Sequence, residues 1–474
     1  MAAPQMAHAQ RTRAPLVVAC LAQAMVVLDI SVINVALPQL REALGFTPAA
    51  AQWVSNAYLL AFGGLLLLGG RWADLVGVRR AFLVGLSGFA LASAVGGLAS
   101  GPAVLVAARA GQGVAAAVLA PATLTLVTTT HPEGPLRDRA LASWTAVSVA
   151  GGAVGNLAGG VLTSALSWRA TLLINVPLGA IALVLAARAL APVRAARVRL
   201  DLPGAVLVTV GFAALAHGFA LVRRPAPAAE VVAAFGAAAV VLVAFALVER
   251  RSPRPLLPPD LLAHRGVLVG NGVMALTAAT FQTAKWFFLT LYMQNVLHYT
   301  PLQAGLGFLP HTLVSVVVLQ LVTPRLMRQV PLRVLIASGL LLAAAGFVWQ
   351  SGVSPDSGYV GGILLPAVVF SAGGGLFNAP LTAVVTSGVA EGQAGAASGL
   401  MNTTKQFGGA LGLAALVALA GTPAGFDYSA VFLVGAGFLL AAAALAALLP
   451  GRCGEWSREP VQHRGSTGER WLRR

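Results

Sequence analysis

Asp29 lies in the run Leu28-Asp29-Ile30-Ser31-Val32-Ile33-Asn34-Val35-Ala36-Leu37-Pro38, inside an apolar segment long enough to cross a membrane. It is the only acid so placed: the other fourteen of the fifteen Asp and Glu fall at segment ends, in connections or in the tail. A carboxylate is costly in hydrocarbon, so an acid held there marks a functional site by default. One group that can take up and release a proton at that depth points to proton-coupled transport. Arg109 is its counterpart. Asp29 sits about 13 residues into its segment, roughly 20 Å from the inner boundary. Arg109 sits about seven residues into a segment running the other way, roughly 10 Å from the outer boundary. The two depths coincide, so the pair is expected to face a common polar cavity, where a change in solvent access or in pairing would switch protonation. The alternative is a static ion pair that locks two helices.

Other residues carry weaker signals. The only two lysines both fall inside apolar segments. Lys405, in Asn402-Thr403-Thr404-Lys405-Gln406-Phe407, is too deep for easy snorkelling and reads as a cavity cation or a carbonyl-bound lysine. Lys285, in Thr283-Ala284-Lys285-Trp286-Phe287, lies nearer the outer boundary and is expected to snorkel among interfacial aromatics. His217 and His311 are lone intraspan histidines, expected to pack as ordinary polar residues. Gly151, Gly155, Gly159 and Gly160 form a small-residue face that permits close helix approach, either as plain packing or as a moving interface. In Gly70-Arg71-Trp72-Ala73-Asp74-Leu75-Val76-Gly77-Val78-Arg79-Arg80, Gly70 and Gly77 allow a tight reversal, and Asp74 is suited to cap a helix and pair with Arg79 or Arg80. That loop is either a conformational latch or a turn that only sets orientation.

Several kinds of chemistry are missing. There is no Ser/His/Asp set, no paired carboxylates and no phosphate-cradling loop, so the chain is not expected to be an enzyme or to use ATP directly. Cys20 and Cys453 are too few for a metal cluster or a disulfide framework. No metal and no cofactor is expected, and a proton gradient is the energy source the residues suggest.

The elements that must position these residues are membrane spans. The 474 residues are 58% apolar and only 10% charged, with mean hydropathy +0.82. Soluble domains carry about a quarter charged residues. At roughly 20 mostly apolar residues per crossing, fourteen segments are expected: 16–36, 53–69, 81–99, 102–127, 141–165, 170–190, 203–222, 230–248, 266–291, 302–323, 332–351, 359–387, 396–420 and 428–449. The first is read as a retained span, since its apolar run continues past Asp29 to Pro38 without a cleavage site. The net charge of +16 comes mainly from arginines in alternate connections. Of the 31 basic residues, 24 fall in one set of connections with both termini and 4 in the other, which places the termini in the cytoplasm. No aromatic-interleaved basic domain suggests nucleic acid.

Segments 1–6 and 9–14 read as two related halves. The connection Pro324-Arg325-Leu326-Met327-Arg328-Gln329-Val330-Pro331-Leu332-Arg333 occupies the place of the Gly70–Arg80 loop, with its arginines but without an acid. Repeated halves around a central site are the usual plan of secondary transporters. The expected organisation is a six-helix half over 1–200, two inserted helices over 201–250, a second six-helix half over 251–450 and a cytoplasmic tail over 451–474.

Together these residues resemble the fourteen-span drug:proton antiporters of the major facilitator superfamily over nearly the whole chain. Asp29 to Pro38 resembles the first-span signature, Gln52-Trp53 with Tyr58-Leu59-Leu60 the start of the second span, and Gly70 to Arg80 the loop 2–3 motif. Arg109, Gln112 and Gly113 match the fourth-span motif associated with proton coupling. Gly151 to Gly160 resembles the antiporter motif, followed by Trp168-Arg169 and Asn175-Val176-Pro177. Leu291-Tyr292-Met293-Gln294 and Pro301-Leu302-Gln303-Ala304-Gly305 match the second half. The chain departs from the pattern at Asn156, where the family has proline, at Trp72 and Leu75 in the loop, and at Lys405, where arginine is common.

The resemblance implies an all-α major facilitator fold and export of amphiphilic small molecules, such as drugs or antibiotics, in exchange for protons. It implies a monomer in the cytoplasmic membrane, with the lipid bilayer, protons and an amphiphilic substrate as partners. Asp29 and Arg109 would handle the proton, and Asn34, Lys285, Tyr292, Gln294, Asn402 and Lys405 are the cavity candidates. One deep acid against Arg109 and Lys405 argues against a cavity for multiply charged cations. A proton-coupled importer of a metabolite and a transport-inactive membrane sensor or scaffold remain as alternatives.

Overall fold

A computed structural model describes residues 2–131, 135–190, 201–222, 227–252, 255–257, 259–354, 356–386, 394–422 and 425–449. It is almost entirely helical, with fourteen membrane-length helices among these residues. They are α1 (Ala2–Leu44), α2 (Pro48–Val76), α3 (Val78–Gly97), α4 (Pro102–Thr130), α5 (Pro135–Ala165), α6 (Trp168–Ala189) and α7 (Leu202–Val222). The chain continues with α8 (Ala228–Arg251), α9 (Arg265–Asn295), α10 (Pro301–Leu326), α11 (Leu332–Ser351), α12 (Val360–Thr386), α13 (Ala394–Ala420) and α14 (Tyr428–Ala446). Thirteen are long and apolar enough to cross a membrane by themselves. The fourteenth, α13, is diluted by its polar stretch Asn402 to Gln406. A two-residue antiparallel pair, Gly421–Thr422 with Gly425–Phe426, joins α13 to α14.

Local chemistry sets the helix ends. Thr47 caps α2 by accepting from the Ala50 amide at 3.1 Å, with Pro48 in the first turn where its missing N–H costs nothing. Thr300 and Gln303 form a reciprocal capping box at the start of α10. Gly77 ends α2 and opens α3 at φ 88°, a conformation that suits a residue without Cβ.

Two apolar cores run through the molecule. One gathers α9–α14 with Ile33, Leu37, Val54, Leu105 and Trp168, and the other gathers α1–α7 with Phe407, Ala410 and Ala414 of α13. The outward faces are apolar as well: Leu91, Val232 and Leu313 are largely exposed, as a lipid-facing surface requires. Helices attract one another weakly in lipid, so close approach depends on small residues. A Cβ on Gly69 would collide with the Ala117 backbone of α4, and one on Gly346 with Phe370 of α12. Of the inserted pair, α7 packs on the first-half core and α8 lies outside it against α7. Gly64 of α2 packs against Thr209 of α7, and Phe235 of α8 packs over Gly218 of α7.

The arginine-rich connections gather at one end. Arg71 donates to the Pro255 carbonyl at 2.5 Å, and Arg79 to the Ala187 carbonyl at 3.2 Å. Toward the other end the halves interlock. A Cβ on Gly160 of α5 would strike Pro301 and Leu302 of α10, one on Gly305 would strike the Asn156 carbonyl, and Gln294 of α9 donates to the Val35 carbonyl of α1 at 2.9 Å.

Candidate functional site

Asp29 and Arg109 are in contact. Both are 1% exposed, and Arg109 Nη1 donates to Asp29 Oδ2 at 2.5 Å. The acid has two further donors, both to Oδ1: Gln112 Nε2 at 2.9 Å and Asn175 Nδ2 at 2.8 Å. The carboxylate of α1 is therefore held by α4 and α6 at once. A buried charge is tolerable only when paired and hydrogen-bonded, and this one is both.

The guanidinium is equally anchored. Its Nε donates to the Val54 carbonyl at 3.0 Å, Nη1 also reaches Gln112 Oε1 at 2.8 Å, and its Cζ lies 4.5 Å from the centre of the Tyr58 ring. Gly113 makes this possible. A Cβ there would lie 2.5 Å from the Tyr58 carbonyl, so only glycine lets α2 come near enough for Val54 and Tyr58 to reach Arg109. Gln112 also donates to Ser93 Oγ at 2.7 Å, which extends the network into α3.

Sequence reasoning gave Asn175 and Ser93 no role. Asn175 lies in the first half of α6, two residues before Pro177, where Ile174 keeps helical geometry and donates to the Ala170 carbonyl at 3.0 Å. The signal was present in Asn175-Val176-Pro177, a polar residue one turn-start ahead of a proline in an apolar segment.

Three of the four glycines in α5 serve α1, not the other half. Cβ atoms on Gly151, Gly155 and Gly159 would meet Val27 at 3.3 Å, Ser31 at 2.8 Å and the Val32 carbonyl at 2.9 Å. They hold α5 against the stretch of α1 that carries Asp29. Gly160 alone faces α10. Asn156 leaves α5 a continuous helix, and its side-chain amide is buried without a partner.

One cavity adjoins the network and a second lies next to the first. A small one of about 20 Å³, room for a single water, is lined by Arg109, Asn34, Ser55 and Tyr58 from one half and by Gln282, Thr283, Phe287 and Leu413 from the other. A larger one of about 230 Å³ lies in the second half, with Gln282, Lys285, Trp286, Ser315, Asn378 and Lys405 among its walls. Gln282 lines both, and its amide donates to the Lys405 carbonyl at 2.9 Å. Gln282 and the neighbours that line one cavity or the other, Phe281, Thr283, Lys285, Trp286 and Phe287, belong to Thr280–Phe288, a π-helical stretch of α9. Such stretches are rare and concentrate at functional sites.

Lys285 corrects the expectation of snorkelling. It is 5% exposed, its ammonium lies 4.7 Å from the Trp286 ring centre, and it donates to Ser371 Oγ at 3.3 Å. The wider π turn aims it at α12 instead of at the interface. Ser371 Oγ is also 3.1 Å from His311 Nδ1, so His311 packs as a buried polar residue with a side-chain partner. Lys405 does open into the larger cavity.

The remaining candidates lie elsewhere. Tyr292 donates to the Ser354 carbonyl at 2.5 Å, Gln294 ties α9 to α1, and Asn402 donates to Ser398 of its own helix at 3.1 Å; none of the three lines either cavity. In the loop, Gly70 would tolerate a Cβ 3.7 Å from Pro121, Arg80 is exposed, and the Asp74 side chain lies outside the described residues.

A fold of packed helical halves around a buried charge network defines a membrane transporter, and the family model of the Major Facilitator Superfamily matches residues 19–413. The chain belongs to that superfamily. It is 54% identical to the cephamycin export protein of Amycolatopsis lactamdurans over 447 residues, 92% of each chain. It is 44% identical to the puromycin resistance protein of Streptomyces alboniger over 405 residues, covering 85% of this chain and 80% of that one. Among solved structures, a peptide transporter of the POT type in complex with sulfate superposes with a TM-score of 0.69 at 16% identity, covering 92% of this chain and 96% of that one.

Proposed function

We propose that this protein exports amphiphilic small molecules, antibiotics among them, across the cytoplasmic membrane in exchange for protons. Export is favoured by the similarity to a cephamycin exporter over 92% of both chains. Proton exchange is carried by one observation: the single deep acid receives three donors from two other helices. Protonating Asp29 removes the charge that Arg109 holds and adds an O–H where only donors converge. That hydrogen needs an acceptor. Asn175 Oδ1 is buried without a partner, and turning the amide would present it. Each protonation state thus requires its own arrangement of α1, α4 and α6, which is what coupling to a conformational cycle demands.

On this reading both termini are cytoplasmic, by the arginine distribution. The protein works as a monomer, without metal, cofactor or covalent chemistry on its cargo. The test uses everted membrane vesicles, whose lumen corresponds to the outside. Acidifying the lumen should load a cephamycin antibiotic into vesicles containing the wild type and not into those containing Asp29→Asn. Full gradient-driven loading by Asp29→Asn would sink the coupling role, and drug loss from the lumen under the same gradient would indicate an importer.

A further inference from the structure

Among the described residues the larger cavity holds both lysines of the chain and no acid. Lys285 and Lys405 stand in its wall, and its other polar members, Gln282, Thr277, Ser315 and Asn378, are neutral. The ammonium of Lys285 is supported only by Ser371 Oγ and by the faces of Trp286, Phe281 and Phe370 at 4.7, 5.9 and 5.7 Å. Among the described residues the ion pair given by the structure is Arg109 with Asp29, and it lies outside this cavity. A buried cation without a counter-ion costs several kcal/mol. A chain that could place leucine there has two ammonium groups instead, and such residues in membrane segments mark a ligand or ion path.

The rest of the wall says what kind of ligand. Phe281, Trp286, Phe377 and Met274 give it an apolar body, while Gln282 and Asn378 add amide groups. A small cavity with aromatic walls and a few convergent polar groups is the usual form of a ligand site. The missing partner of the lysines is then an anion borne by the cargo.

We propose that this cavity is the cargo site and that it takes amphiphiles carrying a carboxylate, with Lys405 and Lys285 pairing the carboxylate and the aromatic wall holding the apolar body. Lys405, open to the cavity, meets the anion first. Lys285 is positioned by Ser371, which in turn faces His311 Nδ1. The cargo assignment rests on the export reading, whereas the charge preference stands or falls by itself at equilibrium.

The experiment measures binding, not transport, to full-length protein in phosphatidylcholine nanodiscs. The probes are three acids, benzylpenicillin, cholate and indomethacin, each compared with its methyl ester. Wild type should bind the acid at least tenfold more tightly than the ester. Lys405→Gln, whose side chain leaves no buried void, should bring acid and ester to within about twofold of each other, and Lys405→Arg should keep the preference. Lys285→Gln should act in the same direction. Equal affinity for acid and ester in all three pairs, no saturable acid binding in any of them, or a preference that survives in both glutamine variants overturns the proposal. Because no gradient is applied, these outcomes are separate from the fate of proton coupling.

Discussion

Gly155→Ala should disable the acid network while leaving the fold intact, and Gly152→Ala should leave both network and fold intact. The two glycines lie three positions apart on α5, so the pair isolates contact from helix propensity. A Cβ at Gly155 would sit 2.8 Å from Ser31 Cβ and 3.0 Å from the Leu28 carbonyl, the residues on either side of Asp29 in α1. One at Gly152 would find its nearest neighbour, Ser31 Oγ, at 3.9 Å. Carbon atoms rest at about 3.5–4.0 Å, so alanine at 155 must push α1 away by roughly half an ångström or more. Overpacking of this kind costs about 1–3 kcal/mol. Exchanging a mid-helix glycine for alanine returns up to about 1 kcal/mol. Gly155→Ala should therefore be neutral to about 2 kcal/mol destabilised, and Gly152→Ala slightly stabilised. The functional effect is sharper, because hydrogen bonds of 2.5, 2.8 and 2.9 Å to Asp29 cannot all survive such a shift. The loss of about 1.4 kcal/mol in that network lowers the rate about tenfold. Everted vesicles loaded by a proton gradient give the rate, and thermal unfolding in detergent gives the stability. Equal rates for the two alanine variants would refute the idea that the α5 glycines position Asp29.

The Arg109–Asp29 pair should show strong coupling in a double-variant cycle. Arg109→Gln leaves a carboxylate at 1% exposure without its cation and should cost about 3–5 kcal/mol. Asp29→Asn with Arg109→Gln together should cost less than the sum of the singles by about 1–3 kcal/mol in unfolding by SDS, and additivity would mean the pair stores no mutual energy. At the arginine-poor end, Gly305→Val removes the notch that accepts the Asn156 carbonyl at 2.6 Å from a Cβ. It should shift the population toward the state open at that end, read as a lengthened spin-label distance between α5 and α10, while an unchanged distance would show that the notch does not hold the closure. Asn175→Ala deletes one donor to Asp29 and the unpartnered Oδ1 together. It should reduce gradient-driven loading at least tenfold with little loss of thermal stability, and wild-type loading would remove Asn175 from the proton step.

The acid and its arginine were legible in the sequence because charged residues are rare in apolar segments and depth can be counted along a helix. Counting fixes height but not azimuth. Lys285 shows the difference: its depth suggested the interface, yet the π-helical turn from Thr280 to Phe288 swings it toward Ser371 and the cavity. Tyr292 and Gln294 sit on the same helix beyond that turn and face Ser354 and Val35. Asn175 and Ser93 escaped for another reason. Neutral polar residues are common in these segments, and which of them reaches the carboxylate depends on how α6 and α3 are turned toward α1 and α4, which depth along the chain does not give. The glycines of α5 were visible as a face, but which neighbour each one met depended on the crossing of α5 with α1 and α10.

The two deep charge sites differ in how complete they are, and that difference orders their roles. Asp29 has an arginine and two amides, so its ionised state is satisfied within the protein. Lys285 of the second half has one hydroxyl and three aromatic faces, so its charged state is not. A complete network resists change until a proton alters it, whereas an incomplete one is completed by what arrives. On the proposed reading the halves divide the work by charge: the first half would store a proton-sensitive lock, and the second half would present its lysines to a cargo. Gln282 lines the cavity beside Arg109 and the cavity beside Lys405, which makes it the shortest physical link between the two. A cargo that draws the Gln282 amide away from the Lys405 carbonyl also reshapes the wall that faces Arg109, so occupancy and protonation share one side chain. Coupling that runs through Gln282 should be weakened by Gln282→Ala by more than any change in acid affinity accounts for, and a variant that still loads carboxylate cargo at the wild-type rate under a proton gradient would show that the two sites communicate by another route.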